Sequence, residues 1–286
     1  MTIPLTGMHV SAAGGAHRAV AKGEELGATA IQFFGASPRS YAAPLPSEEN
    51  AALFRDAFAA SGIQAAYLHA AYLVNLASDK EQLRKSSRRN LAAHLRIAEA
   101  YGVDGLIFHP GSYGAQLPEN GISLIAEGMR EVLAEVPGSA RLLIENTAGG
   151  GTKLGGMPEE IAAMLEAAGM PERTGCCLDT AHAFEAGIVD DYADSDILEA
   201  FLERWDSTVA FARTYALHAN DSKTIAGSNH DKHENIGDGH IGLAGFEALA
   251  RAGSFDHAAW MLEVPGIEGF GPDEENLARL RGCFAA

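Results

Sequence analysis

Cysteine and positive charge are both scarce in this chain. It has 3 cysteines in 286 residues: Cys176 and Cys177 lie inside an apolar run and Cys283 sits near the C-terminus, with no CxxC spacing and no even framework. Inert, buried thiols in a reducing compartment are expected. Lysine and arginine number 21 against 38 acidic residues, a net charge of −17. That balance disfavours a broad electrostatic grip on nucleic acid or on an anionic membrane, so an anionic substrate would have to be held by local positive charge. Long apolar runs are missing too. Nowhere do about 18 apolar residues follow one another, and Met1 to Val10 lacks the basic and apolar regions of a signal peptide. A soluble cytoplasmic protein with no membrane partner is expected. Gly149-Gly150-Gly151-Thr152-Lys153 lacks the order GxxxxGK[ST] of a phosphate loop and reads as a flexible loop.

What the chain does have is a series of six apolar runs that each end in a metal-ligand side chain. These are Tyr67-Leu68-His69, Ile107-Phe108-His109, Leu143-Ile144-Glu145, Cys177-Leu178-Asp179, Ala216-Leu217-His218 and Met261-Leu262-Glu263. The terminal residues are spaced by 40, 36, 34, 39 and 45 residues. A strand and its return helix fill about that length, so the ends of successive parallel strands would converge on one rim of a barrel. Strands are predicted near 7–10, 30–34, 65–69, 105–109, 141–145, 175–179, 214–218 and 259–263. Eight such units fit an α/β fold, a (β/α)₈ TIM barrel with a metal site at the C-terminal rim of its strands. The length is near the ~250 residues typical of one barrel, so a single domain over 1–286 is expected.

Helical segments close on Gly27, Gly62, Gly102, Gly138 and Gly253, where the left-handed conformation is cheap. Ser47 and Asp79 read as N-caps, Asp79 with Gln82 as a capping box, and Pro158 suits a first helical turn. Leu91, Leu95 and Ala98 form a stripe that would pack the third helix on the barrel. Arg84, Lys85, Arg88 and Arg89 on the same helix read as a solvated face. No exposed apolar helix stripe suggests a dimer, so a monomer is expected. Two connections, Ala148 to Gly156 and Ala219 to Leu243, are long for a compact barrel; loops of that kind on the active rim are usually functional.

Histidine nitrogen and carboxylate oxygen are borderline-to-hard ligands that suit Zn²⁺ or Mn²⁺. His182 follows the Asp179 carboxylate where the chain turns into a helix and could serve a neighbouring ion. Asp231-Lys232-His233, in extended backbone, would point both ligand side chains the same way. His9 ends the first strand and is a candidate for a supporting or DNA contact, whereas His17, His94, His230, His240 and His257 read as structural or exposed.

Across nearly its whole length the chain resembles the endonuclease IV family of apurinic/apyrimidinic DNA endonucleases. The resemblance is carried by His9-Val10-Ser11-Ala12-Ala13-Gly14-Gly15, His109-Pro110-Gly111-Ser112-Tyr113, Glu145-Asn146-Thr147-Ala148-Gly149, Leu178-Asp179-Thr180-Ala181-His182-Ala183-Phe184, His218-Ala219-Asn220-Asp221 and Asp231-Lys232-His233. It implies a TIM barrel with three zinc ions, Mn²⁺ being acceptable at one position, that cleaves double-stranded DNA 5′ to an abasic site in base excision repair. By the matching motifs, the first ion takes His69, His109 and Glu145. The second shares Glu145 and adds Asp179, His218 and Glu263, and the third takes His182, Asp231 and His233. Glu145 and Glu263 are the carboxylates expected to carry catalysis. Arg39 and Tyr72 follow strands 2 and 3, where the family inserts side chains into the duplex, and Lys232 is a further DNA contact. Departures are Ala181 where the family commonly has Cys, Lys232 where it often has Arg, and Val264 where Thr usually follows. Lysine lacks the planar fork of arginine for a bidentate phosphate contact.

A hydroxide held by the ions that Glu145 bridges would attack in line, since coordination brings a water pKa from 15.7 to ~7. Four carboxylate ligands against three divalent ions would leave the rim at +2 and the chain at −11 instead of −17. Two rivals share part of this pattern. A sugar isomerase or epimerase would need only Glu145, Asp179, His218 and Glu263, around one metal. A non-catalytic zinc-dependent DNA-damage binding protein would use the same site without cleavage.

Overall fold

The computed structural model describes residues 3–285. Eight parallel strands close into a barrel: β1 (Thr6–His9), β2 (Ala30–Phe34), β3 (Ala65–His69), β4 (Gly105–Phe108), β5 (Arg141–Glu145), β6 (Thr174–Asp179), β7 (Thr214–His218) and β10 (Ala259–Leu262), with β10 next to β1. Each lies within one residue of the span predicted from the sequence. The strands read as unbroken apolar runs because both faces are covered. In β2, Ile31 and Phe33 pack into the large core beneath the helices, whereas Ala30 joins Ala65, Ile107, Leu143, Ala216 and Met261 in the layer that fills the barrel interior. Strand β1 approaches β2 so closely that a Cβ on Gly7 would stand 1.7 Å from the Ala30 carbonyl oxygen, so only glycine fits there.

Outside the barrel lie α1 (Ala16–Glu25), α2 (Glu48–Ala60), α3 (Glu81–Tyr101), α4 (Pro118–Glu135), α5 (Pro158–Ala168), α7 (Ser195–Thr208), α8 (Gly242–Ala252) and α9 (Glu274–Cys283); the short α6 (Thr180–Glu185) opens directly from β6. Leu91, Leu95 and Ala98 of α3 are fully buried, as their stripe predicts. Arg84, Lys85 and Arg88 lie along the solvent side, Lys85 paired with Glu81 and Arg88 with Glu131. Ser47 caps α2 by accepting from Asn50 N at 3.2 Å, and Pro158 occupies the first turn of α5.

Some local expectations do not hold. Asp79 does not cap α3, whose N-cap is Lys80; its carboxylate instead accepts from Ala115 N in the loop after β4. Gly102 and Gly253 close their helices in the left-handed region, but α2 ends on Ser61 in extended backbone, so Gly62 needs no such conformation. Gly138 lies two residues beyond the C-cap Val136 and has φ 152°. Cys176, Cys177 and Cys283 are free and buried, and burial pushes the Cys176 and Cys177 thiols up to about 12. Among the described residues no helix is long and apolar enough to cross a membrane.

The long segment after β7 is built around a small antiparallel ribbon, β8 (Asp221–Ser222) with β9 (His233–Glu234). The fully buried Asp221 carboxylate organises it by accepting from Ser222 N (2.8 Å), Gly237 N (2.9 Å), Gly239 N (3.1 Å), Ile241 N (2.9 Å) and Gly242 N (3.2 Å). Glu185, at the end of α6, braces the other side: its Oε1 accepts from Lys232 N at 3.1 Å and from Ser222 Oγ at 2.6 Å. The loop that carries Asp231 and His233 is thus tied down by side-chain-to-backbone bonds, in place of a core of its own. Each buried donor left without a partner costs about 1–3 kcal/mol. Asp221→Ala is therefore expected to lower stability by on the order of 3 kcal/mol in chemical denaturation and to raise proteolytic cleavage within 223–241; a change below about 0.5 kcal/mol would contradict this role.

Candidate metal centre

Parallel register sets the strand ends at one level. His69 pairs with Phe34 on β2 and Asp179 pairs with His218, so the ligand-type side chains emerge together at the C-terminal mouth of the barrel. Glu145, fully buried, stands at their centre. Its Oε2 is 2.9 Å from His69 Nε2 and 2.9 Å from His109 Nε2; its Oε1 is 2.9 Å from His218 Nδ1 and 3.5 Å from His182 Nδ1. Around it three groups form: His69, His109 and Glu145; Glu145, Asp179, His218 and Glu263; and Asp179, His182 and His233. Within each, one ligand atom per residue lies within 4.8 Å of the others. Ligands about 2.0–2.2 Å from a tetrahedral ion stand about 3.4 Å apart. The second group meets that spacing, with His218 Nδ1 at 3.3 Å from Glu263 Oε2 and 3.8 Å from Asp179 Oδ2.

The third group differs in one detail from the expected trio of His182, Asp231 and His233. Asp179 Oδ2 faces His233 Nε2 at 3.5 Å, while Asp231 sits at the rim, half-exposed, with Oδ2 3.3 Å from His182 Nε2 and Oδ1 3.7 Å from His233 Nε2. Asp179 thereby faces two groups at once. It also caps α6, accepting from His182 N at 2.9 Å, so the carboxylate fixes the turn that delivers His182.

The nitrogens themselves test whether cations fit. His109 Nε2, His182 Nε2 and His233 Nε2 are buried and make no hydrogen bond, although a carboxylate oxygen lies 2.9, 3.3 and 3.5 Å from them respectively. Approach that close without hydrogen-bond alignment is what a cation shared between nitrogen and oxygen produces, and an uncompensated buried polar atom is otherwise costly. The opposite ring nitrogens are held by backbone carbonyls: His182 Nδ1 donates to Asn146 O at 2.9 Å and His69 Nδ1 to Ala70 O at 2.9 Å. That leaves Nε2 as the lone-pair atom in both.

Without ions the cluster balances its charge with protons. Burial works to lower the pKa of His182, but Asp179, Asp231 and Glu145 outweigh it and hold the ring well above its ordinary value. His218 is likewise held well above, and His69 is raised by the hydrogen bond and charge of Glu145 against burial. Conversely, burial pushes Glu145 up, yet His109 and His218 bring it well below the usual carboxylate range; Glu263 and Asp231 are lowered by their histidine neighbours in the same way.

The centre floors an open cleft of about 1080 Å³, lined also by His9, Tyr72, Val264 and Phe270. Tyr72 is 62% exposed, with its ring edge-on to Phe34 at 5.4 Å, so it is displayed at the mouth. Its N–H donates to Pro38 O, which ties the β3 loop to the β2 loop that carries the exposed Arg39. Lys232 is exposed beside Asp231. His94, by contrast, is fully buried in α3 and bonded to Asn90 O, a structural role.

Sequence reading missed several side chains that shape this site. Asn220 donates to Asp179 Oδ2 at 2.8 Å and accepts from Glu263 N at 2.7 Å; Asn146 holds both the N–H and the carbonyl of Asp179. Asn146 follows Glu145 in sequence and Asn220 stands two residues beyond His218, a signal that was available. Gln32, a lone polar residue inside the apolar run of β2, contacts His218 and Glu263. Phe270 is 92% exposed on the loop after β10, and an aromatic that exposed beside a cleft is itself a signal.

A family model described as a xylose isomerase-like TIM barrel matches residues 20–284. The chain is 40% identical over 280 residues to a probable endonuclease 4 of Oleidesulfovibrio alaskensis, covering 97% of this chain and 94% of that protein. The crystal structure of endonuclease IV from Thermus thermophilus superposes with a TM-score of 0.84 at 36% identity, covering 99% of each chain. A D-tagatose 3-epimerase-like protein superposes with a TM-score of 0.67 at 18% identity over 98% of this chain and 96% of its own, a likeness of fold alone.

Protons and cations compete for the same nitrogens, which fixes the sign of a pH dependence. Raised histidine pKa values stabilise the metal-free fold fully below about 6.5, and that contribution is lost as pH rises through the raised values. Lowered carboxylate pKa values stabilise it above the ordinary carboxylate value, and that contribution is lost as pH falls through the lowered ones. In chelator the melting temperature should therefore decline as the pH is raised from about 6 to about 8.5, while the increment produced by added Zn²⁺ should grow over the same range. A Zn²⁺ increment independent of pH in thermal scans would contradict proton–metal exchange at these side chains.

Proposed function

The chain belongs to the endonuclease IV family, and on that premise we propose that it is a metal-dependent apurinic/apyrimidinic endonuclease of base excision repair. Its substrate is double-stranded DNA containing an abasic site. It hydrolyses the phosphodiester 5′ to the lesion, leaving a 3′-hydroxyl and a 5′-deoxyribose phosphate. The observation that carries this reading is the supply of ligands beyond one metal. Glu145, Asp179, His218 and Glu263 would suffice for a sugar isomerase, but His69, His109, His182, Asp231 and His233 crowd the same mouth, three of them with unpartnered buried nitrogens. These nine residues would hold three ions, Zn²⁺ with Mn²⁺ acceptable at one position.

Divalent ions at these positions would supply Lewis acidity toward the phosphoryl oxygens, a nucleophilic water at neutral pH and stabilisation of the departing 3′ oxygen. The chain's own groups do the placing. Glu145 divides its two oxygens between the His69–His109 pair and His218, which sets the separation between the first and second groups. Glu263 presents Oε2 toward His218, and these two carboxylates are the catalytic ones in this reading. The dry layer of Ala30, Ile107, Leu143 and Met261 beneath keeps bulk water from entering through the barrel. At the mouth, Arg39 and Tyr72 would occupy the space of a missing base, an arginine plane and an aromatic ring both being able to replace lost stacking, and Lys232 would contact a phosphate. We place the activity in one domain over 1–286, acting as a cytoplasmic monomer.

A defined abasic oligonucleotide duplex incubated with the protein, with and without chelator, tests this directly. Expected are incision 5′ to the lesion, an end that a polymerase extends, loss of both in chelator, and about three ions per chain by metal analysis. Absence of cleavage with one tight ion would turn the assignment toward sugar chemistry. Tyr72→Ala should reduce the preference for abasic over intact duplex by on the order of 1–3 kcal/mol in competition binding. Identical ratios for the wild-type and variant proteins would remove Tyr72 from recognition.

A further inference from the structure

Gln32 is fully buried within the apolar run Ile31-Gln32-Phe33-Phe34. Two residues beyond the interior-lining Ala30, it points into the barrel just beneath the rim, in register with His9 on β1 and Tyr67 on β3. Its amide meets three groups. Oε1 stands 2.8 Å from His218 Nε2, Nε2 donates to Glu263 Oε1 at 2.6 Å, and Nε2 lies 3.0 Å from His9 Nδ1. The reverse amide orientation would set Oε1 against the carboxylate oxygen, acceptor to acceptor, so the network admits one orientation.

An amide oxygen only accepts. It therefore requires the proton of His218 to sit on Nε2, and a neutral ring protonated there has its lone pair on Nδ1. Nδ1 is the atom that faces Glu145 Oε1 at 2.9 Å and Glu263 Oε2 at 3.3 Å. At the other end, the amide N–H engages Glu263 Oε1 and leaves Oε2 turned toward His218. His69 and His182 have their Nδ1 protons held by backbone carbonyls, which presents Nε2. His218 presents the opposite nitrogen, and here a side chain from another strand performs the selection.

We propose that Gln32 is a positioning residue of the metal centre: one amide fixes the tautomer of His218 and the rotation of Glu263, and so shapes the group that these two form with Glu145 and Asp179. The inference rests on the metal-dependent reading above. Loss of such a supporting partner typically weakens metal affinity by about 10–100-fold.

The test compares the wild-type protein with Gln32→Met, which keeps the volume and removes all three polar contacts, to His218, Glu263 and His9. Zn²⁺ and Co²⁺ affinities are measured by competition with a chromophoric chelator, and folding is checked by unfolding in excess chelator. The expected result is one ion bound about 10–100-fold more weakly with the others unchanged, an altered visible spectrum of Co²⁺ at that position, and a lower kcat on abasic duplex at unchanged KM. Equal affinity for every ion in the two proteins would overturn the proposal. A wild-type chain that holds no ion tightly would instead overturn the metal-dependent reading beneath it. Should the variant fail to fold, ¹⁵N histidine spectra of the zinc-loaded wild-type protein decide: a proton on His218 Nε2 is expected, and one on Nδ1 rules the proposal out.

Discussion

Everything at the mouth of this barrel follows from one buried carboxylate. Glu145 has no contact with solvent and keeps four imidazoles within 3.5 Å of its two oxygens. A carboxylate in that position can be ionised only if positive charge surrounds it, because burial alone would make it neutral. Asp179, also buried, and Glu263 sharpen the demand, since three carboxylates held this close repel one another. Two kinds of positive charge meet it, protons on the histidines or cations between the ligands. They compete because they use the same nitrogens, so each ion that binds displaces protons from its own group of side chains.

Such a cluster needs a frame that does not yield. Beneath it lies a layer of small and branched side chains, Ala30, Ala65, Ile107, Leu143 and Ala216, close-packed in the barrel interior. Around it, neutral amides fix the charged groups: Asn146 grips the backbone of Asp179, Asn220 joins the Asp179 side chain to the Glu263 backbone, and Gln32 joins His218 to Glu263. Amides suit this task because each donates and accepts without adding charge to a site already crowded with it. The ligand-bearing segment that stands apart from the barrel strands and α6, around Asp231 and His233, is held from below by Glu185 and Asp221, whose carboxylates spend themselves on backbone N–H groups.

The eight strands and the cluster of histidine and carboxylate side chains at their ends were legible because a parallel strand covered on both faces writes itself as an apolar run, and a polar residue closing that run must point at the rim. His182 was legible because it follows Asp179 by one helical turn. What was not legible depends on contacts distant in sequence. Asp79 has the spacing of a capping box with Gln82, but the chain near Ala115, 36 residues on, claims its carboxylate. The ribbon of β8 and β9 is two residues on each side, too short for any alternation to register, and it exists because Asp221 gathers N–H groups up to 21 residues away. Gln32 stood in plain view as a polar residue within an apolar strand; its partners, 186 and 231 residues away, gave it no local meaning.

The acidity of the whole chain acquires a role from the same geometry. Many of its arginines are spent on outer-helix ion pairs, such as Arg55–Glu48, Arg88–Glu131, Arg96–Glu135 and Arg204–Glu159, which add little stability in water but cancel positive charge there. Arg39 and Lys232, both exposed, stand on loops that follow the strand ends and are free to meet a polyanion. On the proposed function, protons on His69, His182 and His218 only offset the carboxylates of Glu145, Asp179, Asp231 and Glu263, whereas three divalent ions would outweigh them. Cation loading then governs substrate binding as well as chemistry. A metal-free chain would then offer DNA no net positive centre at the place where it should cut, and the attraction of a loaded one would reach only about a Debye length from it.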